Sequence, residues 1–179
     1  MGRSVKDPDT QIRKTTAQSC AALPTVDVHG VAISAISESQ CVAHILRQMD
    51  AGHGGWVVTA NLDHLRRLVC DREYRRLCDQ ANIIVADGMP LIWASRIRGT
   101  PLPQRVAGSS LIWSLSDAAA ARGRSLFLLG GSPGTADSAA RVLGRCLPSL
   151  QIAGTYCPPV DFDRNEAHVT RLGQMISAA

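Results

Sequence analysis

The chain has 179 residues, a formal net charge of +4, 45% hydrophobic and 19% charged residues, which suits one soluble domain with a single core. No apolar run approaches the roughly 20 residues that span a bilayer, so an integral membrane protein is not expected. Six scattered cysteines without a C-x-x-C pair or a histidine at zinc spacing argue against a metal site and for reduced cytosolic thiols, and two Phe and two Tyr give no stacking pattern for nucleic acid.

Residues 1–24 mix Lys, Arg, Asp, Ser and Thr without an apolar centre; they read as a loose tail and not as a secretory signal. Residues 25–179 read as one domain. It opens with "VDVHGVAIS", whose alternation around His29-Gly30 predicts a short hairpin. A helix follows: Ser37 and Gln40 match the S-x-x-Q capping box, Cys41, Val42, Ile45, Leu46 and Met49 form an apolar stripe, and Gly52 supplies a stop. "WVVTA" is a buried strand, Leu62 to Leu77 is helical with a break near Cys70-Asp71, "NIIVA" is another strand, and "MPLIWASRI" another helix with Pro90 in its first turn. The Pro- and Gly-rich "GTPLPQRVAG" is a loop of a length that is often functional. Then come a helix in "SSLIWSLSDAAAARG", a strand in "SLFLLG", a helix opened by Ser132 as cap with Pro133 in first position, a strand in "LQIAGTY", and an amphipathic helix from Arg164 to Ala179.

Strands alternating with helices imply an α/β fold, a Rossmann-like, largely parallel sheet flanked by helices, with the N-terminal β-hairpin beside it. Cys41, Cys70 and Cys146 fall on helix faces and read as small buried apolar groups. Leu111, Ile112 and Leu115 form a core stripe, and Trp93 and Trp113 are assigned to the core with them. The five histidines are scattered and read as structural or surface residues, with His64 set apart by its closeness to Asn61.

In such sheets ligands sit beyond the carboxyl ends of the strands. Thr59, Asn61, Asp87, Gly130 and Gly131 all fall there. Gly88 lets the chain turn sharply after Asp87, whose carboxylate could serve as a cap for the next helix or as a general base in a partly desolvated cleft. Thr59 and Asn61 could be a strand end and a helix cap, or hydrogen-bonding groups for a polar substrate. Gly130-Gly131 precedes a helix amino terminus, a place that favours phosphate, but "LLGGSPG" is neither a dinucleotide fingerprint nor a Walker loop. All but two of the 19 basic residues are Arg, and eight of these lie between Arg66 and Arg105. That is a solvated basic face or a surface for anionic ligands or lipids. A nicotinamide enzyme is disfavoured because the strand after the Gly-rich turn carries no acid.

Taken in order, "VDVHGVAIS", "TANLDHL", "ANIIVADGMPLIWASRIRGTPLPQRVAGSSL", "LFLLGGSPGTADSAARVL" and "LPSLQIAGTYCPP" resemble the WecG/TagA/CpsF glycosyltransferases, glycosyltransferase family 26. The resemblance implies an inverting transferase that moves N-acetylmannosamine or a related sugar from a UDP donor to a lipid-linked saccharide in bacterial cell-surface polymer synthesis. It implies Asp87 as catalytic base with Thr59 in the same pocket, and Asn61, Gly88, Arg105, Gly108, Gly130 and Gly131 as substrate-binding positions. The resemblance implies no metal or cofactor; Arg and helix-end donors would face the diphosphate. A cytoplasmic protein, peripheral at the inner face of the membrane and compatible with self-association, is the expected setting. Two departures are expected to matter. Ser110 stands where the family commonly has Asp, and the family's usual C-terminal strand, G-x-P-x-Q-E-type motif and basic segment do not follow Ala179, so the chain reads as lacking that part. The alternative function is a non-catalytic nucleotide-sugar-binding remnant or interaction module.

Overall fold

The alternation of short apolar runs with helical periodicity becomes an α/β architecture in the computed structural model, which describes residues 23–178. Most of the expected tail, with Cys20, lies outside the described residues. Leu23 and Pro24 do not belong to a tail: Leu23 packs on the core and the Pro24 carbonyl accepts the Ala35 amide at 2.7 Å.

The hairpin pairs β1 (Thr25–Val28) with β2 (Val31–Ser34). His29 and Gly30 both have positive φ, 53° and 77°, the requirement of a two-residue turn that matches strand twist. Helix α1 (Glu38–Asp50) forms the expected capping box, with both reciprocal bonds between Ser37 and Gln40. Strand β3 (Val57–Ala60) leads to α2 (Leu62–Cys70), and the break falls at Asp71, whose carboxylate caps α3 (Arg72–Cys78) through the Glu73 and Tyr74 amides. Strand β4 (Ile83–Ala86), α4 (Met89–Ile97), α5 (Gly108–Ala120), β5 (Ser125–Leu129), α6 (Thr135–Cys146), β6 (Gln151–Tyr156) and α7 (Glu166–Ser177) complete the order.

The parallel strands pair two and two. β3 lies beside β4 with Thr59 opposite Val85 and Ala60 opposite Ala86, and β5 lies beside β6 with a register shift between Leu126 and Phe127. Strand β2 rests against β4, and α1 against α5. Val28, Ile33, Leu68, Leu91 and Leu102 form one core cluster with the strand-end residues Ala60 and Ala86. Cys41, Leu46, Val85, Val106 and Leu111 form a second, and Ala119, Leu143 and Leu150 a smaller one under β5 and β6.

Four local expectations are corrected. Helix α6 starts at Thr135 after Gly134 at φ 80°, with Pro133 in the preceding turn and the Thr135 amide donating to the Ser132 carbonyl. The left-handed Gly134 caps the helix two positions beyond the expected Ser132. The last helix starts at Glu166 because Asn165 caps it, after a short 3-10 turn at Phe162–Arg164. Cys41 is buried, but Cys70 and Cys146 are exposed at helix ends. Trp93, Trp113 and Ile112 are exposed and do not join the core. The inward face of α4 is filled by Leu91, Ile92 and Ser95. The fully buried Ser95 hydroxyl donates to the Ile92 carbonyl at 2.7 Å and accepts the Leu102 amide at 3.0 Å, which draws the following loop against the helix. A one-sided amphipathic helix has no inward room for the indole as well.

The Cys41 thiol is pushed up to about 11, first by burial and then by the Glu38 charge. Thiolate is the reactive form. Alkylation of the native protein at mildly alkaline pH should therefore label Cys70 and Cys146 and spare Cys41, read by peptide mass spectrometry. Equal labelling rates at Cys41 and Cys70 would contradict the packing.

Candidate active site

The register of β3 and β4 brings two strand ends side by side. The Asp87 amide continues the ladder by donating to the Ala60 carbonyl at 2.8 Å, and the Ala86 carbonyl accepts the Val106 amide at 2.8 Å. Successive residues of a strand present their backbone groups to opposite edges, so Asp87 emerges between the end of β3 and the loop that leads into α5. Gly88, at φ 144°, then turns the chain into α4.

The half-buried Asp87 does not cap α4, which starts without any side-chain cap. Its Oδ2 instead accepts the Gly108 amide, at 3.4 Å, at the amino end of α5. A side chain at Gly108 would put its Cβ 3.3 Å from Thr59 Oγ1. The Thr59 hydroxyl, the Asp87 carboxylate and the Gly108 amide therefore share one corner, and absence of a Cβ at position 108 is what lets the helix end approach β3. The α5 dipole favours a negative group here, and among the described residues no ion pair neutralises Asp87.

Arg105 precedes buried Val106 and is exposed, with no acidic partner among the described residues. Its backbone is pinned beside Asp87 while its side chain stays free to reach a ligand. Asn61 is the N-cap of α2: its Oδ1 accepts the His64 amide at 3.0 Å and lies 2.8 Å from His64 Nδ1. The structural alternative thus accounts for its carbonyl oxygen, and only its amide NH2 is left for a substrate.

Gly130 and Gly131 sit at the end of β5, with φ of 106° and 81°. The Gly130 amide donates to the Tyr156 carbonyl, and the Gly131 carbonyl accepts from the Cys157 thiol at 2.8 Å. Among the described residues no hydrogen bond joins this turn to Asp87 or Thr59. Helix α6 beyond it has no side-chain cap; its Thr135 amide is taken by the Ser132 carbonyl, and the next two amides, of Ala136 and Asp137, are the ones placed to meet an anion. A cavity of about 220 Å³ lined by His44, Met49, Trp56 and Asn82 lies elsewhere, at the amino ends of β3 and β4.

One support of this corner escaped the sequence reading. The Glu38 carboxylate, in the first turn of α1, accepts the Ser110 hydroxyl at 2.5 Å and the Ser114 hydroxyl, and the Glu38 amide donates to Gln104 Oε1 at 3.2 Å. Ser110, expected as a lost carboxylate, is here a hydroxyl that engages a carboxylate from another helix. The only sequence signal was the i, i+4 spacing of Ser110 and Ser114, which puts both on one face of α5.

Those two hydroxyls, Ser110 foremost, hold the Glu38 carboxyl below its ordinary value, with burial opposing. A carboxyl lowered by folding stabilises the fold above its unfolded value, and that contribution is lost as pH falls through the folded one. The melting-temperature gap between wild type and Glu38→Gln should thus narrow as pH drops from about 6 to about 3. A gap that stays constant over this window would rule out the charge-assisted tie.

The model described as Glycosyl transferase WecG/TagA/CpsF family matches residues 26–178 of the chain. An N-acetylglucosaminyldiphosphoundecaprenol N-acetyl-beta-D-mannosaminyltransferase of Bacillus spizizenii is 28% identical over 106 residues, covering 59% of this chain and 41% of that protein. A protein of the same name from Staphylococcus aureus is 30% identical over 98 residues, covering 55% and 39%. The chain spans about two fifths of the length of the curated relatives it matches.

Proposed function

The chain belongs to the WecG/TagA/CpsF glycosyltransferase family, and from that premise we propose that it performs an inverting transfer of N-acetylmannosamine or a related sugar from a UDP donor to a lipid-linked saccharide. The relatives' names specify an N-acetylglucosaminyldiphosphoundecaprenol acceptor and an N-acetyl-beta-D-mannosaminyl group, and the same acceptor class is proposed here, at the inner face of a bacterial membrane. Among the described residues no helix is long and apolar enough to cross a membrane, so a lipid acceptor would be met from the surface.

The observation that carries this reading is the half-buried Asp87 carboxylate, held by one oxygen at the α5 amino end and sharing its corner with the Thr59 hydroxyl. In the proposed step Asp87 takes the proton of the acceptor hydroxyl as that oxygen attacks the anomeric carbon from the face opposite UDP. The carbon–oxygen bond to UDP breaks, and the electron pair leaves with the diphosphate. Thr59 orients the attacking hydroxyl. Arg105, the Gly131 amide and the Ala136 and Asp137 amides at the start of α6 stabilise the departing charge, a role for donors aimed at the diphosphate.

The test is direct. The purified chain is incubated with UDP-N-acetylmannosamine and an N-acetylglucosaminyl-diphospho-polyprenol in detergent, and UDP release and the new glycosidic bond are followed by chromatography and NMR. One UDP per inverted linkage is expected. Donor binding by calorimetry without any UDP release would instead favour a nucleotide-sugar-binding module.

A further inference from the structure

Helix α4 begins immediately after Asp87 and Gly88, and its two faces differ sharply. Leu91, Ile92 and Ser95 are buried, whereas Met89, Trp93 and Ile97, spaced i, i+4, i+8, are 39%, 55% and 86% exposed. Three large apolar side chains in one row on an outer helix face form a contiguous ridge, which isolated surface hydrophobics do not. Arg96 falls within the same arc, is exposed, and has no acidic partner among the described residues. Arg98 follows, with only an exposed contact of 4.0 Å to Asp27, and such contacts constrain a guanidinium little. The sequence from Met89 through Ser116 contains no acidic residue, while Arg96, Arg98 and Arg105 all lie in it.

We propose that the outer face of α4 is a docking surface for an anionic lipid bilayer. A nine-residue helix is roughly 13 Å long, too short to span but suited to lie in the interface. Indole prefers the headgroup level, aliphatic groups enter the acyl boundary, and guanidinium groups pair with anionic headgroups. The charge pattern selects this occupant: an acid-free stretch in which Arg96 and Arg105 have no acidic partner among the described residues complements a negative surface and repels a second copy of itself. The location gives the surface a purpose, which rests on the lipid-linked acceptor reading above. With α4 on the bilayer, Asp87 lies in sequence just before the helix start at Met89, so an acceptor anchored in that bilayer would present its sugar along a short path.

The experiment uses the full chain and sedimentation with vesicles of phosphatidylcholine alone or of equal parts phosphatidylcholine and phosphatidylglycerol, with neither donor nor acceptor present. Wild type should bind the anionic vesicles at least about tenfold more tightly, and raising salt should weaken this. Trp93→Ser combined with Ile97→Ser should lose about tenfold or more, and Arg96→Glu should lower binding to the anionic vesicles selectively by roughly fivefold or more. All three side chains are exposed, so circular dichroism melting should not change. Wild-type indifference to phosphatidylglycerol, or undiminished binding by the double variant, would overturn the proposal. So would vesicle-free dimerisation in sedimentation equilibrium that the double variant abolishes, since that assigns the ridge to a second copy. A chain that binds vesicles but transfers no sugar refutes the transferase reading alone; one that transfers but ignores vesicles refutes this surface alone.

Discussion

Asp87→Asn should lower sugar transfer about a thousandfold, near the middle of the range for loss of a general base, while donor affinity changes little. The substitution is selective because asparagine keeps a carbonyl oxygen that can still accept the Gly108 amide, so the α5 amino end stays where the Asp87 Oδ2 contact holds it. What disappears is the ability to take a proton from the acceptor hydroxyl. A thousandfold drop corresponds to about 4 kcal/mol of transition-state free energy, more than one neutral hydrogen bond contributes, so the size of the effect separates a base from a positioning contact. Steady-state kinetics with the polyprenol acceptor and donor titration by calorimetry measure the two quantities. A variant with wild-type turnover removes Asp87 from the chemistry. A variant that loses donor binding in proportion to its rate makes Asp87 a donor ligand instead.

Leu91→Ala should destabilise the fold by about 3 kcal/mol, within the range for truncating a buried leucine. Leu91 is essentially inaccessible and shares a cluster with Leu65, Leu68, Leu102 and the strand-end residues Ala60 and Ala86. The last two lie next to Thr59 and Asp87 in sequence, so the cavity would open directly behind the candidate site. For a chain of this size the melting midpoint should fall by roughly 10 °C, read by circular dichroism or calorimetry. A shift of only a degree or two would mean that α4 is held by its loop contacts and not by packing. Trp93→Ser on the opposite face of the same helix is the internal control, because its side chain already meets solvent.

The hairpin at His29-Gly30, the capping box at Ser37 and Gln40, the break at Asp71 and the order of strands and helices were all legible in the sequence, because each depends on residues within a few positions of one another. Family membership was legible for a related reason: several motifs occur in a fixed order along most of the chain. The α6 start was misread because Gly134, in a left-handed conformation, overrode the local Ser-Pro preference. Trp93 and Trp113 show a different limit. Periodicity says that a helix has an apolar face, but an apolar residue beside that face is buried only if another element covers it, and α4 turns Leu91, Ile92 and Ser95 inward while Trp93 stays outside.

By itself, then, the sequence determined the α/β class, the placement of Thr59 and Asp87 at strand ends, and the acid-free, arginine-bearing stretch after them. Tertiary structure alone decided that Asp87 meets the Gly108 amide and not the start of α4, that Gly108 abuts Thr59, that Glu38 ties down Ser110 and Ser114, and that the Gly130-Gly131 turn is bonded to β6. The physical reason is one of range. Caps, turns and periodicity are set by neighbours along the chain, whereas these contacts join residues 21 to 76 positions apart, and only the packing of α1 on α5, of the α5 start against the ends of β3 and β4, and of β5 beside β6 brings them together.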